Sequence, residues 1–294
     1  MSTAGIETAL ARPGQATLWQ GKTVRLWLLW ILLGLGAVAM LLPLYWMLIT
    51  TFKPQGEILR LPVTWWPAQP TLQHWQDTFR VANFGRYFIN SVFVSGTITA
   101  FNLLTSAMAG YVFAKFNFWG RDLLFIFVLS GLMIPFTVPL IPLYDLMVKF
   151  KWANTYWALI VPSIYTPLGI FLLRQFIHSI PNDLMDAARV DGANEFDIFF
   201  RIVLPLCTPA LAALGIFALT FNWNDFLWPF IVLDDPSLFT LPVGLARLHS
   251  RSGFATDYGL IMAASALTIL PLLIFFFFAQ RRFIEGITMT GLKG

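Results

Sequence analysis

Six stretches of this chain are each long enough to cross a bilayer and carry almost no charge. They run from Leu26 to Ile49, Tyr87 to Ala114, Leu123 to Tyr144, Trp152 to Leu173, Ile202 to Leu233 and Tyr258 to Gln280. The hydrocarbon core of a bilayer is about 30 Å thick and a helix rises about 1.5 Å per residue, so about 20 apolar residues span it. Only the fifth stretch holds a charged side chain, Asp225. In hydrocarbon the backbone must satisfy its own polar groups, and a helix does so within one segment. The expected fold is therefore an all-α integral membrane protein with six transmembrane helices. Composition agrees, because 57% of the 294 residues are hydrophobic and 12% are charged, about half the usual charged share. That balance excludes a disordered chain, and the basic residues are too dispersed for a nucleic-acid binder. One cysteine, Cys207, excludes a disulfide within the chain and a cysteine-cluster metal site.

The first stretch has a competing reading as a signal peptide, since Ala37-Val38-Ala39 follows an apolar run. The run continues through Met40, Leu41, Leu42, Pro43 and Leu44, past where a cleaved signal stops. Six spans put both termini on one side of the membrane. With cytosolic ends, eleven of the 19 lysines and arginines fall inside and eight outside, the right sign but a small margin. Arg281-Arg282, directly after the last apolar run, is the firmest single vote for a cytosolic C-terminus. The chain then divides into a cytosolic tail (1–25), a first helix with an extracytoplasmic loop (26–86), a core of five helices (87–280) and a second cytosolic tail (281–294). Residues 53–86 are rich in Pro and Trp, which fits equally an aromatic belt that fixes membrane depth and a lid that docks a partner.

The loop at 179–205, between the fourth and fifth stretches, has helical chemistry of its own. Pro181 suits a first helical turn, and Asp183 and Asp186 favour the positive helix end. Leu184, Ala187 and Ala188 form a narrow stripe, mostly of small side chains that let another surface come close. Gly192 is placed to end this helix in the left-handed conformation, and Asn194 to cap a second one, with Asp197 three residues on. Phe196, Phe199, Phe200 and Val203 repeat along that second helix, and Leu204-Pro205 returns the chain to the membrane. Five acids (Asp183, Asp186, Asp191, Glu195, Asp197) against two arginines (Arg189, Arg201) make the loop acidic. A bare loop facing anionic lipid would carry the opposite sign, so two occupants stay open: a basic partner protein, or lipid under an amphipathic helix.

The spacing Asp186-Ala187-Ala188, three residues, Gly192, nine residues, Ile202, one residue, Leu204-Pro205 resembles the EAA loop of ABC importer permeases. The one departure is Asp186 where that motif usually has Glu. Asn222 to Pro229, Thr240 to Leu245 and the tail Glu285 to Gly294 are similar to the carbohydrate branch, the maltose-type permeases, with Thr290 where the branch often has Gly. The resemblance covers nearly everything from Asn90 to the C-terminus. It implies a permease subunit of an ATP-driven importer for a sugar or related polyol. Its partners would be a second permease subunit, two ATP-binding subunits, an extracytoplasmic sugar-binding protein and membrane lipid. It also implies that Asp186, Ala187, Ala188, Asp191, Gly192, Ile202, Leu204 and Pro205 couple the chain to those ATPases. Gly286, Thr288, Gly291, Lys293 and Gly294 of the tail would contact them as well.

No cofactor is expected in this chain, and ATP and Mg would be bound by the partner subunits. Gly286 and Gly291 have P-loop spacing, but Leu292 stands where lysine is required. His74, His178 and His249 fall in expected loops with no metal spacing, so an enzyme is not expected. Asp225, with Asn222 and Asn224, reads equally as a polar ledge lining a solute path and as glue between helices. An ion-coupled carrier working alone through Asp225 is the rival function, and it leaves the acidic loop without a role. Pro135, Pro139 and Pro142 predict a broken or kinked third span.

Overall fold

The computed structural model describes residues 15–81, 83–251 and 257–291, with side chains described over 25–81, 83–249 and 257–279. It is helical, with no strand among the described residues. In chain order the helices are α1 (Gln15–Thr50), α2 (Gln55–Ile58), α3 (Gln73–Val81), α4 (Phe84–Lys115), α5 (Arg121–Ser130), α6 (Leu140–Lys149), α7 (Tyr156–Ile160) and α8 (Pro167–His178). They continue with α9 (Asp183–Val190), α10 (Glu195–Ile198), α11 (Leu204–Leu206), α12 (Thr208–Trp223), α13 (Leu227–Val232), α14 (Leu241–Arg251) and α15 (Tyr258–Gly291).

Unbroken helices account for only some of the six expected spans. Among the described residues four segments are long and apolar enough to cross a bilayer: Arg25–Thr50, Phe84–Lys115, Thr208–Val232 and Tyr258–Ala279. A fifth is reached if the pair Tyr156–Ser163 and Pro167–His178, bent by 40°, counts as one span. The third expected span is instead two ten-residue helices, α5 and α6. Each covers about 15 Å, half the hydrocarbon thickness. The interruption follows from Pro135 and Pro139, which lie between the two helices and cannot donate to a helical ladder. Pro142 does not kink its helix, because it sits in the first turn of α6, where no intrahelical N–H is missed.

Polar side chains brace the breaks in the other apolar segments. Where α7 gives way to α8, two carbonyls lose their helical partners. Asn102 Nδ2 of α4 donates to Ser163 O (2.5 Å) and Thr105 Oγ1 to Ile164 O (2.9 Å). In hydrocarbon each such group would be expensive to leave unpaired, so buried Asn102 and half-buried Thr105 on α4 are what permit the bend. The fifth segment breaks between α12 and α13. Trp223 Nε1 reaches Thr268 O at 3.0 Å and Trp228 Nε1 reaches Ala158 O at 2.8 Å, pinning both sides of the break.

Two buried clusters organise the body. One gathers Tyr87, Val94, Ile98, Trp223, Trp228 and Leu241 from α4, α12, α13 and α14. The other gathers Tyr111, Leu173, Ile177, Met185, Ile198, Phe199 and Leu214, so it joins the far end of α4 and α8 to the loop at 179–205. Helices α4 and α8 approach so closely that a Cβ on Gly110 would lie 2.9 Å from Arg174 N and 3.0 Å from Leu173 Cβ. By contrast α1 is exposed along its apolar length from Leu26 to Leu42 and becomes buried only at Met47.

The Pro and Trp-rich segment is folded onto the ends of α1 and α15. Lys53 is 1% exposed; its ammonium donates to Thr64 O and stands 4.2 Å from the centroid of the Trp46 ring. His74 lies in α3 rather than in a loop, buried, with Nε2 on Lys53 O at 2.8 Å and its ring packed on Gly259. His178 ends α8 and His249 lies in α14, so all three histidines sit on helices, because the connecting segments are themselves helical. The Thr64 hydroxyl holds Glu57 below the usual carboxylate range. Trp65 and Trp66 remain exposed.

Candidate functional site

The loop at 179–205 forms two short helices that reverse at one residue. Asn182 takes the N-cap position of α9 and Pro181 precedes it, outside the first turn where the sequence places it, because Met185 N and Asp186 N both bond to Asn182 O (2.9 and 3.0 Å). At the other end Gly192 N donates to Arg189 O (3.1 Å) and Ala193 N to Ala188 O (2.9 Å), the paired bonds of a Schellman turn. Gly192 has φ of +86°, the left-handed conformation that the sequence predicts. Asn194 then caps α10, its Oδ1 accepting from Asp197 N at 2.9 Å. A π-helical turn at Phe199–Val203 and α11 carry the chain into α12.

The buried face differs from the expected stripe. Met185, 1% exposed, is the residue that anchors α9, with Ala188 half-buried beside it; Leu184 is 47% exposed and Ala187 also faces out. On the second helix Phe199 and Val203 are buried while Phe196 and Phe200 are exposed. The stripe of Leu184, Ala187 and Ala188 is thus one residue out of register with the packing. What results is an outward surface of Leu184, Ala187, Val190 (87% exposed) and Phe196, with Asp183, Asp186 and Asp191 also exposed. Ile202 and Leu204 are half-buried under this surface, and Pro205 is exposed.

Asp186 is not a free charge. Its Oδ1 accepts from Arg189 Nη1 at 2.6 Å, and Arg189 also donates to Glu195 through Nε (2.8 Å) and Nη2 (3.3 Å). Glu195 in turn accepts from the Tyr111 hydroxyl of α4 at 2.8 Å. The guanidinium holds Glu195 below the usual carboxylate range, against the opposing effect of burial, and Arg189 is raised in return, first by Glu195 and then by Asp186. Lys115, at the end of α4, donates to Ile180 O (2.5 Å) and Asn182 Oδ1 (2.8 Å). Sequence reasoning misses Tyr111, Lys115, Arg189 and Glu195 as parts of the site. Arg189 and Glu195 enter it only as opposing terms of a net charge, and their six-residue separation pairs them only because the chain reverses at Gly192.

Residues 103–288 match the family model of the binding-protein-dependent transport system inner membrane component. The chain belongs to that family. This permease is 42% identical over 271 residues to the arabinooligosaccharides transport system permease protein AraQ of Halalkalibacterium halodurans, covering 91% of this chain and 96% of that one. It is 33% identical to the sulfoquinovosyl glycerol transport system permease protein SmoH of Agrobacterium fabrum, over 98% of this chain and all of that protein. Its fold matches a crystal structure of a bacterial ABC transporter involved in the import of the acidic polysaccharide alginate. That match has a TM-score of 0.80 at 18% identity and covers 89% of this chain and 97% of that one. The permease is thus a membrane component of a multi-subunit transport system that depends on a binding protein, and the family is one of transport proteins rather than enzymes. No observation favours the carrier that works alone.

Gly286, Thr288 and Gly291 lie on α15 where only the backbone is described, and Lys293 and Gly294 fall outside the described residues. Asp225 stands in the break between α12 and α13, its carboxylate facing the Trp228 backbone N–H. Asn224 Nδ2 bonds back to Thr220 O at 2.8 Å, and Asn222 lies in the last turn of α12. Among the described residues no group of three or more His, Cys, Asp or Glu is placed to hold a metal.

Proposed function

We propose that this chain is one of two permease subunits in an ATP-driven importer of a sugar, oligosaccharide or related polyol. It would cross the membrane six times with both termini cytosolic, counting the α5–α6 and α7–α8 pairs as broken spans. Two ATP-binding subunits would hold ATP and Mg on the cytosolic side, and a sugar-binding protein would deliver solute outside. The exposed apolar flank of α1 would meet lipid and the second permease. The observation that carries the reading is the loop itself: two helices fixed at Gly192 present a rigid, mostly apolar surface with an acidic fringe, on a chain whose family works with other subunits. Carbohydrate as the solute class is supported by relatives named for arabinooligosaccharides and sulfoquinovosyl glycerol.

Asp186, Ala187, Ala188, Asp191 and Gly192 would face the ATPase, and Ile202, Leu204 and Pro205 would fix the return into the membrane. Because Asp186 is shared with Arg189, the ATPase would meet a partly neutralised carboxylate beside Leu184 and Val190, so its groove is expected to be more apolar than the loop's net charge alone implies. Co-purification checks this. A tagged chain extracted gently from its native membrane should bring down an ATPase and a second membrane subunit. A chain that purifies alone under those conditions would remove the proposal.

A further inference from the structure

Two side chains one helical turn apart on α4 hold the loop on either side of its reversal. Lys115 takes the segment just before α9, through Ile180 O and Asn182 Oδ1. Tyr111 takes the segment beyond the reversal, through Glu195. Positions i and i+4 share one face of a helix, so both grips come from the same side of α4. The Tyr111 ring is buried between Phe116 (5.3 Å) and Phe199 (5.6 Å), which fixes its hydroxyl in direction as well as place.

The reversal at Gly192 rests on its two turn hydrogen bonds, since a Cβ there would meet nothing within 4 Å. Arg189 lies on one side of it and Glu195 on the other, and their bidentate pair bridges it. An exposed ion pair ordinarily contributes little. This one is extended inward, because the same Glu195 oxygen that accepts Arg189 Nη2 also accepts the buried hydroxyl of a membrane helix.

We infer that Tyr111 and Glu195 are positioning residues that make the two loop helices and α4 move as one body. A displacement applied at α9 then reaches the membrane through α4 and, by the close Gly110 contact, α8. A cationic group of the partner that engages Asp186 competes for it with Arg189, leaving that guanidinium to Glu195 alone and tightening the bridge when the partner is docked. This is a contact that differs between two states, the requirement for one site to bias another. The inference rests on the proposed function, since it needs an ATPase to supply the displacement.

The experiment uses the whole complex, with its ATPases and binding protein, in lipid vesicles. The readout is solute imported per ATP hydrolysed. Tyr111→Phe keeps the ring packing and removes one hydroxyl, and Glu195→Gln removes the charge from the other side of the same bond. Each should assemble normally and lower the ratio about fivefold, and the double variant should fall no further than either single one. An unchanged ratio, equal falls in uptake and hydrolysis, loss of assembly, or additive falls in the double variant would each overturn the inference. If the unsubstituted complex does not couple uptake to hydrolysis, the proposed function itself fails; if it does and the variants leave the ratio unaltered, only the role of Tyr111 and Glu195 falls.

Discussion

Gly192→Val should reduce solute-stimulated ATP hydrolysis by the assembled complex about tenfold, within the usual range of coupling between sites. The cause is conformational rather than steric. A side chain at 192 meets nothing within 4 Å, but φ is +86°, and a β-branched residue held there costs about 1–3 kcal/mol. The Schellman turn would open, and with it the angle between α9 and α10 and the bridge from Arg189 to Glu195. Gly192→Asn is the control, because asparagine enters the left-handed region at less expense. It should retain most of the stimulation while valine loses it. Equal activity in the two variants would show that the backbone conformation at 192 does not carry the coupling.

Gly110→Leu is expected to remove most of the folded protein. Here the obstruction is backbone: a Cβ would sit 2.9 Å from Arg174 N, so α4 and α8 must separate to admit any side chain. Overpacking of this kind costs about 1–3 kcal/mol and sometimes more. In a membrane, tight helix contact through small residues is itself the main source of association, so no hydrophobic compensation offsets the loss. Gly96→Leu makes the comparison fair, since Gly96 is also on α4 and a Cβ there meets nothing within 4 Å. The recovered yield of monodisperse, detergent-extracted protein should collapse for Gly110→Leu and stay near normal for Gly96→Leu. Similar yields would mean the α4–α8 approach is looser than described.

The helical character of the chain and the position of its loop can be read from the sequence because both rest on local chemistry. Apolar length identifies α4 and α15, and a glycine followed two residues later by asparagine identifies the reversal from α9 to α10. The break within Leu123 to Tyr144 is only half legible, for the opposite reason. Hydropathy counts residues and is blind to Pro135 and Pro139 removing donors, although the same prolines predict a break or a kink. The packed face of α9 reads one position off, Leu184 for Met185, because an eight-residue helix is too short for periodicity to fix its register. Tyr111 leaves no signal, since nothing local distinguishes a tyrosine that reaches 84 residues ahead to a carboxylate from one that only fills a core. The polar repair by Asn102 and Thr105 is equally hidden, because the carbonyls that need it belong to another helix.

Uptake by reconstituted vesicles tests the central claim most directly. The chain would be placed in vesicles with its second permease and ATPases, with binding protein and labelled sugar outside and ATP enclosed, and compared with the chain alone under an imposed ion gradient. Import that requires ATP, the ATPases and the binding protein together, and is absent under the gradient alone, is the predicted result. Gradient-driven uptake by the chain by itself, with no dependence on ATP, would contradict the account.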